Sequence, residues 1–507
     1  MGRRRNPPKN ILPFISLSLL ATTVRATPSP SPQQQEQQKP LIQVSSSSSS
    51  SSWRIYPQDN RTCVTPPSNN SNNTKHFTGL IPIDPDHNKS LFFWFFERTD
   101  KPQTSSSSPS PTIIFLNGGP GGSSLSGLFT EIGPCIIDNT TTTITDPNPY
   151  SWTSFANLLF LDQPAGTGFS TASASSMPLT LAESSRDFTL FLSKFITHFP
   201  EYFTNEGELY IAGESFGGRY ISRYISDIIL SNQEQTKPKP IKISGIILID
   251  AFIDGISPFL GYHELFCNND ESEYQDILHF NSTTCSHLST VAIPRAEELL
   301  NTCRESLSTA DCDVATRYVM DEIYIHLREE EDTGRYTRYD LRLPCELPDK
   351  ACIPPVQFYP EPYLNRPEVQ KLLGFDTPRE YRTINMTLNE AWSSQPEIVI
   401  PTTRNLSWLL DQGDLRVLVF NGVYDAAITT PGMFREFDHL PWSQRDVFRR
   451  QPKTNWYWTD SVGSLFEGGK IKSVPKLHVA SVYDAGHMSP GDAKPAVASL
   501  VRQWIGL

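Results

Sequence analysis

The chain has 507 residues, and 38% of them are hydrophobic, which is enough to bury a sizeable core and argues against a disordered or fibrous protein. Its formal net charge is −12 and its pI is near 5.4. Because no block of lysine or arginine occurs after the first ten residues, the composition also argues against a nucleic-acid-binding surface.

The N-terminus has the features of a cleaved signal peptide over residues 1–26. Three arginines at positions 3–5 and Lys9 precede an apolar stretch at 11–24, and Ala26 provides a small residue before several prolines. A membrane anchor would need about 20 unbroken apolar residues. This stretch is shorter and contains Pro13. We therefore predict a secreted protein, with the vacuole as the alternative destination and no membrane span after signal cleavage.

Folded structure is expected to begin near Trp53. The preceding residues 27–52 are rich in Pro and Gln and end in eight consecutive serines, so they are expected to be disordered. The stretches 77–84 and 90–97 then predict a β-hairpin.

An α/β fold with a mostly parallel sheet is predicted from the strands that follow. Several of them are apolar runs without alternation, which is typical of strands buried on both faces by helices. An amphipathic helix lies between two of these strands, with a capping box formed by Thr180 and Glu183 at its start and Pro200 at its end. The predicted strands are 112–117, 157–162, 209–213, 243–249, 415–421 and 477–482.

The region 254–355 interrupts this pattern with charges, cysteines and helical periodicity, and we interpret it as a cap inserted over one edge of the sheet. The core resumes with a short helix that has Pro367 in its first turn and Gly374 after its end. The predicted organisation is a signal peptide at 1–26, a disordered segment at 27–52, a first part of the core at 53–253, the cap at 254–355 and a second part of the core at 356–507.

The eight cysteines favour disulfide bonds in an oxidising compartment. Zinc sites are the alternative, but no two cysteines have Cys-x-x-Cys spacing and no histidine pair lies at ligand spacing from them. Six of the eight fall between residues 267 and 352, so this region is predicted to be cross-linked locally.

Eight Asn-x-Ser/Thr sequons are candidate glycosylation sites and fit a eukaryotic secretory route. Several are expected to be unused, because the sequence is rich in Asn, Ser and Thr. The sequons lie at Asn60, Asn69, Asn72, Asn88, Asn139, Asn281, Asn385 and Asn405.

Residues 209–218, LYIAGESFGG, contain a Gly-x-Ser-x-Gly pattern centred on Ser215. An apolar run precedes the pattern and an amphipathic helical segment, 219–230, follows it, so the context is strand, turn and helix. In this context the serine is exposed on a sharp elbow, and only glycines fit beside so tight a turn. We predict that Ser215 is a nucleophile; the alternative is an ordinary glycine-rich turn.

A serine nucleophile needs a histidine as base and a carboxylate that orients it. In the α/β-hydrolase arrangement these groups occur in the order Ser, Asp, His, the last two after later strands. Asp425 follows the predicted strand at 415–421, and His487 follows the one at 477–482. His478 is the nearest competing base, but it lies inside an apolar strand and is interpreted as a core residue.

Backbone N–H groups are needed to stabilise the oxyanion that forms on an attacked carbonyl. The glycine-rich turn LNGGPGG at 116–122 follows a predicted strand, so the N–H of Gly119 is one candidate and the N–H of Phe216 is the second. The alternative is a turn whose glycines only allow tight packing.

Six motifs resemble, in the same order, those of the serine carboxypeptidases, peptidase family S10. They are LNGGPGGSS, NLLFLDQPAGTGFS, GESFGGRY, EPYLNRPEVQKLLG, NGVYD and AGHMSPGD, and they extend over roughly residues 75–507. Within the family, the chain is most similar to the fungal secreted enzymes that resemble carboxypeptidase S1. The resemblance implies the α/β-hydrolase fold, with helices on both faces of a mostly parallel sheet and an inserted cap.

The resemblance further implies an enzyme that releases single C-terminal amino acids from peptides or proteins through an acyl-enzyme, without a metal or other cofactor. Two of the residues that it implies bind the substrate are the glutamates Glu131 and Glu214. Because two neighbouring carboxylates repel each other, one of them should hold a proton, and activity on peptides should favour acid pH. The resemblance assigns Ser215, Asp425 and His487 to the catalytic triad and Asn117, Glu131 and Glu214 to binding of the substrate's terminal carboxylate.

The chain departs from the family pattern at several positions. Gly122 and Ile428 stand where many members have cysteine, Val423 replaces an aspartate, and the segment 248–251 replaces a Gly-Asn-Gly turn. An esterase or acyltransferase on the same scaffold is the alternative function, because a similar branch of the family transfers acyl groups, although the retained carboxylate-binding residues favour the peptidase. A catalytically inactive binding protein is disfavoured by the intact triad, and the sequence leaves side-chain preference and oligomeric state open.

Overall fold

The computed structural model describes most of the chain after residue 54. The predicted signal peptide lies outside the described residues, as do Trp53 and the sequons at Asn69, Asn72 and Asn139. The described residues are 42–43, 54–66, 75–100, 110–138, 145–203, 208–233, 240–268, 277–348, 351–412 and 415–507.

Most strands of the described chain belong to one twelve-stranded sheet, and two short strands pair separately. In chain order the strands are β1 (Ile42–Gln43), β2 (Arg54–Gln58), β3 (His76–Asp84), β4 (Lys89–Phe96), β5 (Thr112–Leu116), β6 (Cys135–Ile136), β7 (Asp146–Pro147), β8 (Asn157–Leu161), β9 (Leu209–Glu214), β10 (Gly245–Ile249), β11 (Arg416–Gly422), β12 (Thr454–Thr459), β13 (Leu465–Val474) and β14 (Leu477–Val482).

The large sheet has a parallel centre and antiparallel ends. Its strand order is β1-β2-β3-β4-β8-β5-β9-β10-β11-β14-β13-β12, and the neighbours from β8 to β14 run parallel. In this centre Ile114 of β5 lies opposite Ile211 of β9. Every residue of β5, β8, β9 and β10 is buried. The sequences of these strands do not alternate between polar and apolar residues, and this absence of alternation had predicted burial on both faces.

The α-helices of the described chain begin after β5. In chain order they are α1 (Leu125–Gly127), α2 (Leu181–His198), α3 (Gly217–Gln233), α4 (Ser257–Leu260), α5 (Tyr262–Cys267), α6 (Ser282–His287), α7 (Ile293–Ser306), α8 (Thr309–Val319), α9 (Ile325–Glu331), α10 (Pro360–Leu364), α11 (Pro367–Leu372), α12 (Met386–Ser393), α13 (Thr403–Asp411), α14 (Thr430–His439), α15 (Arg445–Arg449), α16 (Ser489–Asp492) and α17 (Lys494–Trp504).

Helices cover both faces of the sheet, which confirms the predicted α/β class. Ile114 on β5 packs in a core cluster with residues of α2, α3 and α14, whereas its neighbour Phe115 packs in a second cluster with residues of α11 and α17. The predicted capping box is present at the start of α2, where the Thr180 hydroxyl accepts from the Glu183 N–H and the Glu183 carboxylate accepts from the Thr180 N–H.

Residues 254–355, which follow β10, contain helices α4 to α9 and most of a third hydrophobic cluster. This cluster extends to Val423 and Ala426, which follow β11. We refer to residues 254–355 as the insert. None of the described helices is long and apolar enough to cross a membrane.

All eight cysteines form disulfides. Three of these bonds, Cys267–Cys285, Cys303–Cys312 and Cys345–Cys352, lie within the insert, which confirms the predicted local cross-linking. The fourth, Cys63–Cys135, joins the segment after β2 to β6.

Candidate active site

Ser215 occupies a sharp turn between β9 and α3. Its backbone φ angle is 56°, which lies in the left-handed region that residues other than glycine rarely adopt. A Cβ on Gly213 would lie 2.6 Å from the Gly217 carbonyl oxygen, and one on Gly217 would lie 2.8 Å from the Leu116 carbonyl oxygen. The two glycines of the pattern are therefore required by close backbone contacts, and the turn has the strained geometry of a nucleophile elbow.

His487 and Asp425 form a buried pair at the ends of β14 and β11. The Nδ1 atom of His487 lies 2.7 Å from Oδ2 of Asp425, whose other carboxylate oxygen accepts from the N–H groups of Ala427 and Ile428 at 2.8 and 3.0 Å. Burial raises the pKa of Asp425, and the neighbouring imidazole and the two N–H groups oppose that rise. The sheet thus brings together two residues that are 62 positions apart in sequence.

A cavity of about 170 Å³ lies beside this pair, and both Ser215 and His487 line it. His478, the competing histidine, lies on β14 and does not occur among the described residues of the lining. Most of the lining is apolar, from residues that include Phe252, Phe259, Met320, Ile398 and Met488. In the described part of the chain, no group of three His, Cys, Asp or Glu residues is arranged to hold a metal ion.

The residues of the two predicted oxyanion donors also lie at this cavity. Gly119 and Phe216 both line it, and Gly119 has a φ of 108° that favours glycine. A Cβ on Gly118 would lie 2.5 Å from the Phe216 nitrogen, so the glycine-rich turn and the elbow are in direct backbone contact. This contact places the two candidate N–H groups on neighbouring segments next to Ser215.

Asn117 and Glu214 line the cavity, and Glu131 lies buried beside Glu214. The Asn117 amide donates to Oε1 of Glu214 at 2.8 Å. Burial raises the pKa of both glutamates, and the charge of Glu131 raises the pKa of Glu214 further. Within the described residues no donor reaches Oε2 of Glu214 or either oxygen of Glu131. A proton held between the two carboxyl groups would remove both the repulsion and part of this missing hydrogen bonding.

Asp250 is a buried carboxyl group whose part in the site the sequence interpretation missed. It follows β10 with a φ of 43°, and its Oδ1 accepts from the Gly422 N–H at 2.7 Å. Its other oxygen accepts from the Ser489 hydroxyl, two residues after His487. Asp250 thereby connects the end of β11 to residues 483–492, which contain His487 and which we call the histidine loop. The only sequence signal for Asp250 was the replaced Gly-Asn-Gly turn.

The insert also contributes residues that sequence interpretation did not assign to the site. Arg338 and Tyr339 line the cavity, and the Tyr339 ring centroid lies 5.3 Å from that of His487. No motif marks these residues in the sequence, because their contacts join positions far apart in the chain.

Known proteins provide an independent comparison. The sequence profile of the serine carboxypeptidase family matches residues 66–506. Carboxypeptidase Y of Saccharomyces cerevisiae is 32% identical over 435 residues, which cover 85% of this chain and 76% of that protein. Carboxypeptidase Y homolog A of Coccidioides posadasii is 30% identical over 432 residues, which cover 85% of this chain and 75% of that protein.

Among solved structures, KEX1(delta)P, described as a prohormone-processing carboxypeptidase from Saccharomyces cerevisiae, matches with a TM-score of 0.71 over 89% of this chain and 95% of that chain. At 23% sequence identity this similarity supports the fold alone. The two sequence relatives are named carboxypeptidase Y and carboxypeptidase Y homolog A, so the subgroup that resembles carboxypeptidase S1 stays a prediction. The profile match over most of the chain, together with relatives at 30% identity or more, shows that the chain belongs to the serine carboxypeptidase family.

Proposed function

We propose that the chain hydrolyses the C-terminal peptide bond of peptides and releases single amino acids, with Ser215 as the nucleophile. Membership of the serine carboxypeptidase family supports this activity and does not favour the alternative, an esterase or acyltransferase on the same scaffold. The observation that carries the proposal is the hydrogen bond between His487 and Asp425 at the wall of a cavity that Ser215 also lines.

In the proposed reaction, His487 takes the proton of the Ser215 hydroxyl on Nε2 while Asp425 accepts a hydrogen bond from Nδ1. The serine oxygen attacks the carbonyl carbon, and the N–H groups of Gly119 and Phe216 stabilise the oxyanion. His487 then protonates the leaving amine, and the C-terminal amino acid departs. Water hydrolyses the acyl-enzyme in a second step, in which His487 again acts as the base.

We also propose that Asn117, Glu131 and Glu214 bind the terminal carboxylate of the substrate. A protonated carboxyl group donates a hydrogen bond to a carboxylate, whereas two ionised glutamates would repel it. Because the pKa of each glutamate is raised, the proton is retained over a wider range of acid pH and is lost as the pH increases. Binding of a free C-terminus should therefore be strongest at acid pH and weaken as the pair ionises.

The experiment that tests the nucleophile is amino-acid release from a blocked dipeptide by Ser215→Ala. Loss of a triad member normally lowers kcat by several orders of magnitude, on the order of 10⁴ or more. Ser193→Ala, an exposed serine on α2, is the matched control and should retain full activity. Hydrolysis that survives unchanged in Ser215→Ala would exclude this serine as the nucleophile.

The proposed carboxylate recognition is tested by comparing a blocked dipeptide that has a free C-terminus with the same dipeptide amidated. The free acid should have much the higher kcat/KM at acid pH, because only it engages the glutamate pair. Equal cleavage of the two would contradict the role of the glutamates and favour the esterase-like alternative. Total inactivity of the intact enzyme on both would favour a binding protein.

We infer that the chain follows the secretory route. The four disulfides support an oxidising compartment. The predicted signal peptide over 1–26 and the final destination, extracellular or vacuolar, are part of this proposal. N-terminal sequencing of the mature protein tests the first point: a chain that begins at Met1 would contradict signal cleavage.

Sequon occupancy is proposed from the surroundings of each described asparagine. Asn60, Asn88 and Asn281 are exposed, and Asn405 on α13 is half-buried. Asn385 differs, because its Nδ2 atom, to which a glycan would attach, donates to the Gly166 carbonyl at 2.8 Å. We expect glycans at the exposed sites and none at Asn385, and glycopeptide mapping by mass spectrometry would show whether this is so.

We propose that the insert is a cap on the hydrolase core, made of residues 53–253 and 356–507. Its own hydrophobic cluster and its three internal disulfides support a separately packed layer. Its residues Phe259, Met320 and Arg338 line the cavity beside Ser215.

A further inference from the structure

Residues 337–342 of the insert, which we call the strap, contact the histidine loop and also residues 423–428, which contain Asp425 and which we call the acid loop. The Arg338 carbonyl accepts from the N–H groups of Ala426 and Ala427 at 2.8 and 3.0 Å, directly after Asp425. The Tyr339 carbonyl accepts from the N–H of His487 itself at 2.7 Å. One short segment therefore supports the loop of the acid and the loop of the base together.

The contact between the strap and the histidine loop is close. A Cβ on Gly486 would lie 2.5 Å from the Tyr339 carbonyl oxygen and 2.7 Å from Cβ of Asp340. The two loops are also joined to each other, since the Tyr424 N–H donates to the Ala485 carbonyl at 2.9 Å. A displacement of the strap would therefore move His487 relative to Asp425.

Arg342 connects the strap to both ends of the histidine loop. Its Nη1 donates to the Asp484 carbonyl at 2.8 Å, and its Nη2 lies 3.4 Å from Oδ2 of Asp492. The same Asp492 oxygen accepts from the Gly486 N–H at 2.7 Å. The guanidinium also stacks over the ring of Tyr424 in the acid loop, with 4.6 Å to the ring centroid.

The arginine is itself held in place. Its Nε donates to Oδ1 of Asp340 at 2.9 Å, and its Nη2 donates to Oδ2 of the same carboxylate at 2.6 Å, which is a two-point contact that only a planar guanidinium makes. Asp484 has a φ of 56°, which is unfavourable for a residue with a side chain. Such a loop keeps its shape only when surrounding contacts determine it.

We propose that Arg342 is a positioning residue that holds His487 and Asp425 in the geometry needed for proton transfer, an inference that rests on the proposed function of this triad. Arg342 is not one of the described residues that line the cavity, so it acts on the loops and not on the substrate. Its removal should loosen the histidine loop while the binding groups Asn117 and Glu214 stay in place.

The test compares Arg342→Met with wild type on one peptide substrate at saturating and subsaturating concentrations. Misplacement of a catalytic group by about 1 Å lowers the rate by about 10²-fold. We therefore expect kcat to fall by about 10- to 100-fold while KM changes by less than about twofold. Arg342→Lys keeps the positive charge but loses the two-point contact with Asp340, so its kcat should lie between those of Arg342→Met and wild type.

Arg335→Met is the matched control, because Arg335 is an exposed arginine of the same insert whose carboxylate partner, Glu330, lies 3.9 Å away. It should leave kcat and KM unchanged. The concentration of folded enzyme is measured for each variant by circular dichroism and thermal unfolding. If Arg342→Met does not fold, Arg342→Lys is used in its place.

Two results would overturn the proposal: an unchanged kcat, whether or not KM rises, or a loss of activity no greater than the loss of folded enzyme. The Ser215→Ala variant separates this outcome from failure of the proposed function. If Ser215→Ala is inactive and Arg342→Met behaves as wild type, the assignment of Ser215 as the nucleophile stands and only the role of Arg342 is wrong.

Discussion

His76 should limit the stability of this protein at acid pH. It lies on β3 and is buried, with its ring stacked on Phe96 at a centroid distance of 4.9 Å. The Trp94 indole N–H donates to its Nδ1 at 3.2 Å, an arrangement that requires neutral imidazole. Burial lowers the pKa of His76 from 6.5 to about 4, and the charge of Asp59 opposes this shift only in part.

The direction of this pH effect on stability follows from proton binding at His76. Between pH 6.5 and pH 4 the unfolded chain binds a proton at this histidine that the folded chain does not, so the free energy of unfolding falls as the pH falls. Treated as a single site with these two pKa values, His76 lowers stability by about 2 kcal/mol at pH 5 and by about 3 kcal/mol at pH 4. Below pH 4 the penalty rises only to its limit of about 3.4 kcal/mol, and above pH 7 it is negligible.

His76→Gln removes the titrating group and keeps an oxygen that accepts from Trp94. Urea unfolding is followed by tryptophan fluorescence at pH 7, 5 and 4. As the pH falls, the free energy of unfolding of the variant should increase relative to that of wild type by these amounts. His87→Gln is the matched control, because His87 is an exposed histidine paired with Asp84. Parallel pH dependences for wild type and His76→Gln would refute the reasoning.

Two further predictions concern the carboxylate pair and a helix end. Glu214→Gln supplies a neutral amide at every pH, so the decline of kcat/KM for free C-termini above neutral pH should become shallower than in wild type. An unchanged pH profile would contradict a proton shared between Glu131 and Glu214. Glu208, an exposed glutamate next to β9, provides the control variant Glu208→Gln. Thr180→Ala removes the hydroxyl that caps α2 and should lower the free energy of unfolding by about 1 kcal/mol. Urea unfolding measures this difference, and a change indistinguishable from zero would contradict the prediction.

Features encoded by neighbouring residues were predictable from the sequence. The elbow at Ser215 was recognised because a left-handed turn between a strand and a helix needs glycine at fixed offsets, and the capping box of α2 was recognised because its partners are three residues apart. The parallel centre of the sheet followed from apolar runs alone. In each case the physical cause lies within about ten residues of chain.

Features that depend on tertiary context were missed. Sequence interpretation did not identify β2 or the β12–β13 hairpin, whose strands lack a continuous apolar run. Residues Ile42–Gln43, inside the segment 27–52, pair with β2 as β1. The ties from Asp250 to Gly422 and from the strap to His487 span more than a hundred residues of sequence, and no local pattern encodes such pairs.

Ser215 and the His487–Asp425 pair are held in place by different parts of the chain. The elbow of Ser215 is fixed by backbone contacts within the core, from Leu116 and Gly217, whereas the pairing of His487 with Asp425 depends on the strap of the insert. A change in the insert should therefore disturb His487, the proposed base, before it affects the backbone of Ser215, the proposed nucleophile. Because the proposed base acts in both acylation and deacylation, such a change would slow both steps, so the insert would determine catalytic rate as well as the shape of the substrate cavity.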